Sequence, residues 1–492
     1  MTTTEDTRVE PEILNRIREA DKSLTNHFLS KLRVNPDLTR ALVSFQANKE
    51  VPGYRWFKFK EGFSASLVRY VLQELGIDSG RVIDPFAGSG AALFTASASG
   101  LDAIGIELLP VGCEIITARQ DAFLDRTGVA SIVQRWIEQR PWRNVSRSRY
   151  RFSHLNITQG AFPPANERHL EAYLSALQTV RHRAAKTLLR FAALCILEDI
   201  SYTRKDGQYL RWDYRSGKHQ GGRLFHKPEI RTFNDAIIRK LLQIKEDLVG
   251  QQDMSHGLPP RPSGNIEIIH GSCLSVLPQM PSHVFDGLMT SPPYCNRYDY
   301  TRTYALELAM LGINDQSVRQ LRQAMLSCTV ENREKEESQH GFDQERLAEA
   351  KSVFSGQELI NHIVEYLETL REVGLLNNPG IPRMVKNYFW EMTLVILECA
   401  RILKPGAPMI MVNDNVRYAG IPIPVDLILS RIAECAGFSV GEIWVLPRGK
   451  GNSSQQMGAH GREELRKCVY VWSKTIGAST PRARAPQAYA TV

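Results

Sequence analysis

Apolar positions along the chain fall into two blocks of strand–helix alternation, separated by helix-rich stretches. Residues 1–50 are polar with helical spacing and predict an arm packed on the body. From 51, "VPGYRWFKFKEGFSASLVRYVLQELG" leads through a loop into an amphipathic helix with Leu67, Val68, Val71, Leu72 and Leu75 on one face. "RVIDPFAGSGAALFTASASGLDAIGIELLP" (81–110) then reads as strand, Gly-rich turn, small-residue helix, turn and strand. This is a βαβ unit in the order of a nucleotide-type binding half.

A helix-rich stretch follows from 111 to 264 and closes on the linker "HGLPPRPSG" (256–264). The alternation then resumes. "NIEIIHGS" predicts a strand, "VFDGLMTSPPY" a strand ending at its prolines, and "APMIMVND" (407–414) another. "GEIWVLPR" (441–448) and "KCVYVWSK" (467–474) look like a closing antiparallel pair, a second helical insertion occupies roughly 312–385, and the tail "GASTPRARAPQAYATV" is expected to be disordered. There is no internal repeat.

At 492 residues the chain is too long for one compact core and should hold two or three substructures. The eight cysteines form no CxxC pair, which disfavours zinc ribbons and disulfide scaffolds and leaves a reducing cytoplasm as the expected location, with no metal. The N-terminus is charged and nowhere do about eighteen apolar residues run together, so neither secretion nor membrane spanning is expected.

The net charge of +8 matters for where it sits. "RPWRNVSRSRYR" (140–151) has five arginines and no acid, and 204–231 has eight basic residues against three acidic, each a net of +5. The rest of the chain is therefore slightly acidic. Lys and Arg interleaved with Tyr and Trp suit a phosphate backbone, although a solvated basic face has the same composition.

In "DPFAGSG" (84–90), Gly88 and Gly90 allow a tight turn at a strand end and close approach of a ligand. Glu107 closes the next strand 23 residues after Asp84, where an acid can hydrogen-bond ribose hydroxyls. No GKS or GKT occurs, and an acid at 84 would repel a pyrophosphate, so the ligand is better taken as an adenosine compound without phosphates. S-adenosylmethionine fits.

"TSPPY" (290–294) suits an amino group on a nucleobase, a poor nucleophile because its lone pair is delocalised into the ring. The Ser291 hydroxyl and the Pro292 carbonyl can accept both N–H protons and draw the nitrogen toward tetrahedral geometry. Pro292 and Pro293 hold those acceptors fixed, and Tyr294 can stack on the base. A base inside a duplex cannot reach such a pocket, so flipping is implied.

With these two motifs on the page, the chain resembles the amino-methylating DNA methyltransferases, which act on cytosine N4 or adenine N6. The likeness covers about 60–110 and 265–475, with "DPFAGSG" (Asp84, Phe86, Gly88, Gly90) resembling the cofactor loop and "TSPPY" the catalytic loop. It implies an α/β fold, a Rossmann-like seven-stranded methyltransferase sheet with helical insertions. It also implies that "FKEGFS" (59–64), with Phe63 and Ser64, closes over the methionine end of the cofactor. Ser272 should lie near the adenine, at a position often acidic in the family.

The expected division is an N-terminal helical arm (1–50), the cofactor half of the core (51–125) and a basic insert as candidate target-recognition region (126–264). The catalytic half (265–311), a second insert (312–385), the C-terminal strands (386–475) and the tail (476–492) follow. Arg204, Lys205, Arg211 and Arg215 are the expected DNA contacts. Double-stranded DNA is the expected partner, with a cognate restriction endonuclease where the setting is restriction-modification or phage defence. Ser at 291 favours cytosine N4, since family members with Asp or Asn there more often methylate adenine.

Adenine N6 and RNA base methylation stay open, the latter because tRNA guanine-modifying enzymes share a "DPFAGSG"-type loop; so does a binding module that has lost catalysis. Cys295 would be a nucleophile only for ring-carbon methylation, which by resemblance uses a Pro-Cys dipeptide; here Tyr294 intervenes and a packed small residue is expected. "SYTRKDGQYLRWDYR" (201–215) could also be a plain surface hairpin, and "GNSSQQMGAHGREELR" (451–466) a mobile loop near the site.

Overall fold

The computed structural model describes residues 9–60, 62–206, 209–218, 224–250, 263–335, 341–447 and 464–477. The expected tail, most of the 256–264 linker and most of the 451–466 loop lie outside the described residues. Twelve strands are present among those described: β1 (Leu32–Val34), β2 (Arg81–Asp84), β3 (Asp102–Glu107), β4 (Thr203–Asp206), β5 (Tyr209–Trp212), β6 (Ile266–His270), β7 (Gly287–Thr290), β8 (Pro408–Asp414), β9 (Val416–Tyr418), β10 (Ile421–Ile423), β11 (Phe438–Val445) and β12 (Lys467–Lys474).

Eight of them form one sheet in the order β1-β11-β12-β8-β7-β2-β3-β6. It is parallel except where β12 runs antiparallel to both β11 and β8. The Rossmann-like sheet of seven strands is there, and β1 adds an eighth. The arm 1–50 is therefore not helical throughout: after the helix Val9–Phe28 it contributes β1, which pairs in parallel with β11 through Leu32↔Ile443.

The buried strands are near-continuous apolar runs because both faces are covered. β7 is buried at all four positions and ends at Thr290, after which the prolines at 292 and 293 remove the next ladder donors. Chain order runs outward from β2 through β3 to β6 and then returns to β7 on the other side of β2, so the order reverses between β2 and β7. Ligands of open α/β sheets sit outside the carboxyl ends of the strands at such a reversal.

The basic stretch 126–264 does not form a core of its own. Trp56, Phe57 and Phe59 of the loop before the first amphipathic helix share one apolar cluster with Phe123, Trp142, Tyr173 and Phe191. Trp56 stacks on Phe123 at 5.5 Å. Asp247, in the helix Phe233–Val249, accepts from Gly53 N at 2.9 Å and Trp56 Nε1 at 2.7 Å and pairs with Arg55. The insert thus braces the loop that leads into "FKEGFS". Among the described residues no helix is long and apolar enough to cross a membrane.

Candidate active site

At the carboxyl ends of β2, β3 and β7 lies a cleft with about 790 Å³ of empty volume, the size of a small-molecule pocket. Of the expected cofactor and catalytic residues, Phe63, Asp84, Phe86, Gly88, Glu107, Ser272, Ser291 and Pro293 line it. The two motifs meet through parallel pairing. β2 neighbours β7, with Ile83 opposite Leu288, so Asp84 and Thr290 end adjacent strands. Thr290 Oγ1 donates to Asp84 Oδ1 at 2.6 Å, and Phe86 N donates to the same oxygen at 3.0 Å. One buried carboxylate therefore ties the Gly-rich turn to the catalytic loop.

Gly88 (φ 54°) and Gly90 (φ 78°) both lie in the left-handed region. A Cβ on Gly88 would stand 3.1 Å from the Phe59 ring and one on Gly90 2.9 Å from Ile116, so the turn is closed on one side by "FKEGFS" and on the other by the helix Pro110–Leu124. Gly90 caps the helix Ala91–Ala98 rather than facing the cleft. Glu107 completes the turn: its Oε2 accepts from Gly88 N and its Oε1 from Leu109 N, both at 2.7 Å. Burial pushes both acids up to about 7, partly offset at Asp84 by Thr290 and Phe86 and at Glu107 by the Leu109 and Gly88 amides.

Ser291 Oγ donates to Tyr294 Oη at 3.2 Å. With its proton directed there, the serine oxygen presents lone pairs to the cleft. Tyr294 is half-buried and stands with Pro292 just outside the lining. Cys295 is fully buried and burial pushes its thiol well up, which leaves it inert as a nucleophile. Ser272 Oγ donates to Ala324 O at 2.8 Å.

Some expected residues are used otherwise. Ser64 is fully buried, caps the helix Ala65–Glu74 through Leu67 N at 3.0 Å and donates to Leu42 O at 2.6 Å, so Phe63 alone of that pair faces the cleft. Lys205, expected at the DNA surface, is instead buried and ion-paired with buried Glu307, between the Phe57 and Tyr304 rings. The β4–β5 hairpin alternates, turning Thr203 and Lys205 inward and Arg204 outward. Arg215 is spent on buried Asp213, which it holds through two hydrogen bonds at 2.6 and 3.0 Å. Arg204 is exposed, Arg211 is half-exposed in a 3.0 Å pair to half-exposed Asp206, and Arg215 stays exposed at the surface while paired to Asp213.

Phe59, the first residue of "FKEGFS", lines the cleft. Several other residues of the site carry little signal in the sequence pattern: Tyr300 lines it, as do Ala324, Met325 and Leu326 of the second insert. Tyr304 stacks on Phe59 at 5.3 Å and accepts from Lys60 N at 2.7 Å, holding "FKEGFS" over the turn. Arg119 is fully buried beneath the turn, donates to Ser89 O at 3.0 Å and lies over the Tyr54 and Phe94 rings. The "YDYTRTY" run after the catalytic motif was the available hint for Tyr300 and Tyr304; nothing marked Arg119.

Comparison with known proteins places this arrangement. No family model matches the chain. Over 467 residues, 94% of either chain, it is 49% identical to Type II methyltransferase M.AvaI of Nostoc sp. and to the protein of that name from Anabaena variabilis. Over 463 residues, 88% of either chain, it is 42% identical to Type II methyltransferase M.BsoBI of Geobacillus stearothermophilus.

Proposed function

The chain belongs to the Type II DNA methyltransferase family of these relatives, and on that premise we propose that it methylates the exocyclic amino group of a flipped base in double-stranded DNA, cytosine N4 before adenine N6, using S-adenosylmethionine. The observation that carries the reading is the make-up of the cleft. Asp84 and Glu107 bring two carboxylates, and the described lining has no Lys, Arg or His. Such a site repels phosphates and suits a cation that bears hydroxyls. Phe59, Phe63, Phe86 and Tyr300 offer faces to an adenine ring and to a sulfonium. Each Glu107 oxygen keeps a lone pair for a ribose hydroxyl after accepting its backbone amide.

When bound, S-adenosylmethionine supplies an electrophilic methyl group. The chain's part is to make the amino nitrogen nucleophilic: Ser291 Oγ and the Pro292 carbonyl accept its protons, the prolines keep both acceptors in place, and Tyr294 covers the base. Arg204 and Arg211 are register partners on the outer face of the β4–β5 hairpin, and β5 packs against the helix Tyr300–Thr303 beside the cleft. Two basic side chains on one outer hairpin face, Arg211 in a surface pair with Asp206, suit contact with a DNA phosphate.

Purified protein incubated with unmethylated duplex, with tRNA as competitor, and methyl-labelled S-adenosylmethionine, followed by digestion to nucleosides, tests the reading. N4-methyldeoxycytidine is the expected product. N6-methyldeoxyadenosine would overturn the base preference alone, 5-methyldeoxycytidine the amino-group chemistry, and label confined to tRNA the DNA substrate.

A pH dependence follows from the raised acids. A ligand that favours the ionised carboxylates is bound with proton release, so its affinity rises with pH. With Asp84 and Glu107 titrating at about 7 in the free protein, S-adenosylmethionine should bind about tenfold more tightly at pH 8 than at pH 6 if one of them must be ionised. Calorimetry in two buffers of different ionisation enthalpy reads both affinity and proton release; pH-independent affinity would show that neither acid meets the ligand as an anion. Unliganded, the same raised acids favour the folded state most below about pH 4, and that contribution is lost as pH rises through 7.

A further inference from the structure

The turn after the catalytic loop holds a cation with no counterpart. Arg297 has φ 64°, in the left-handed region that side chains other than glycine seldom adopt. Hydrogen bonds tie down the residues on either side of it. Tyr418 Oη donates to Cys295 O at 2.7 Å, Tyr298 N donates to Asn296 Oδ1 at 3.1 Å, and Cys328 Sγ reaches Tyr298 O at 3.4 Å. Nearby arginines are paired: Arg302 with Asp299 and Glu331, and Arg322 with Asp299 at 3.1 Å. Arg297 makes no ion pair or side-chain hydrogen bond among the described residues, and its Nε is buried without a partner.

Position supplies the second half of the argument. Ser291 and Pro293 line the cleft and so does Tyr300, so Arg297 stands in the short segment that joins two stretches of its lining. Backbone strain that its surroundings over-determine collects at functional sites, and a buried donor left unpaired is costly unless a ligand completes it. We propose that Arg297 binds a backbone phosphate of the DNA strand beside the extruded target nucleotide, fixing that strand while the base occupies the cleft. The inference rests on the DNA-methylating reading given above. It separates two tasks at this end of the sheet: carboxylates inside the cleft receive a cationic donor, and a guanidinium in the joining segment receives the anionic strand.

Three variants separate charge from strain. Arg297→Lys keeps the cation, Arg297→Gln removes it, and Arg297→Gly removes it while relieving the positive φ. Methyl transfer to an unmethylated linear duplex is followed as a function of KCl, with the melting temperature of each variant. The Gln and Gly variants should raise the KM for duplex about tenfold and flatten the slope of log KM against log salt by about one. The Lys variant should keep the wild-type slope, kcat should stay within about twofold throughout, and the Gly variant should melt at or above the wild-type temperature. Wild-type KM and slope in the Gln and Gly variants would overturn the proposal, as would an equal loss in the Lys variant. A wild-type protein that transfers no methyl group to DNA would sink the functional reading instead, an outcome distinct from both.

Discussion

Replacing Ser291 and Tyr294 together with alanine is expected to lower the single-turnover rate of methyl transfer by about 10³-fold or more, with S-adenosylmethionine and duplex binding changed by less than about threefold. Ser291 presents an acceptor to the cleft because its own proton goes to Tyr294, so the pair acts as a unit and its two losses should not add. Ser291→Ala alone should cost about 10²–10³-fold, the range for one preorganised hydrogen-bonding group at a reacting centre. Tyr294→Phe keeps the ring but drops the hydroxyl that orients Ser291, and should cost less. The test is rapid-quench transfer under excess enzyme beside calorimetric titration of the cofactor. A rate within tenfold of wild type in the double variant would remove Ser291 and Tyr294 from the chemistry; a parallel loss of cofactor binding would mean that the loop had moved.

Lys205→Ala is expected to cost about 3–5 kcal/mol of stability at neutral pH, the usual result of removing one partner of a buried ion pair. Its partner Glu307 is fully buried, has Oε2 without a hydrogen-bond partner, and is pushed up by burial against the opposing pull of Lys205. Left alone, the carboxylate can be accommodated only by protonation, so the deficit should shrink as pH falls toward 5. A Lys205→Met, Glu307→Leu double variant should recover most of the loss. Arg204 and Arg211 on the hairpin face behave differently: Arg204→Ala with Arg211→Ala should leave stability within about 1 kcal/mol while lowering the salt slope of DNA binding by about two. Urea unfolding and DNA titrations at several salt concentrations read both. A stable Lys205→Ala protein with weakened DNA binding would reverse the assignment and return Lys205 to the DNA surface.

Strand ends were legible in the sequence wherever an interruption in a hydrophobic run has a single physical meaning. Two prolines after "VFDGLM" can end a central strand in one way, and β7 stops at Thr290 as they require. Glycines at 88 and 90 mark a turn with positive φ, and both have it. The antiparallel pair β11–β12 showed as two apolar runs near the end of the chain. β1 did not, because three residues have no period to detect and their partner lies about 410 residues away. Side-chain destinations were least visible. Composition reads Lys205 as surface because lysines usually are, yet strand alternation sends it inward to an acid 102 positions later. Arg119 and Asp247 likewise owe their roles to long-range packing, which local pattern does not encode.

The sheet order also sets a clock on biosynthesis. β12 lies between β8 and β11, so the last of the described strands is an interior member of the sheet, and the pairings around it exist only once residue 474 has emerged. The Gly-rich turn and Glu107 are complete about 370 residues earlier, an interval of roughly 20–70 s at 5–20 residues per second. For about the first half of that time β2 lacks β7 and β3 lacks β6, the partners that later cover their apolar edges. Nascent chains therefore pass through an interval of exposed strand edge before the sheet can close.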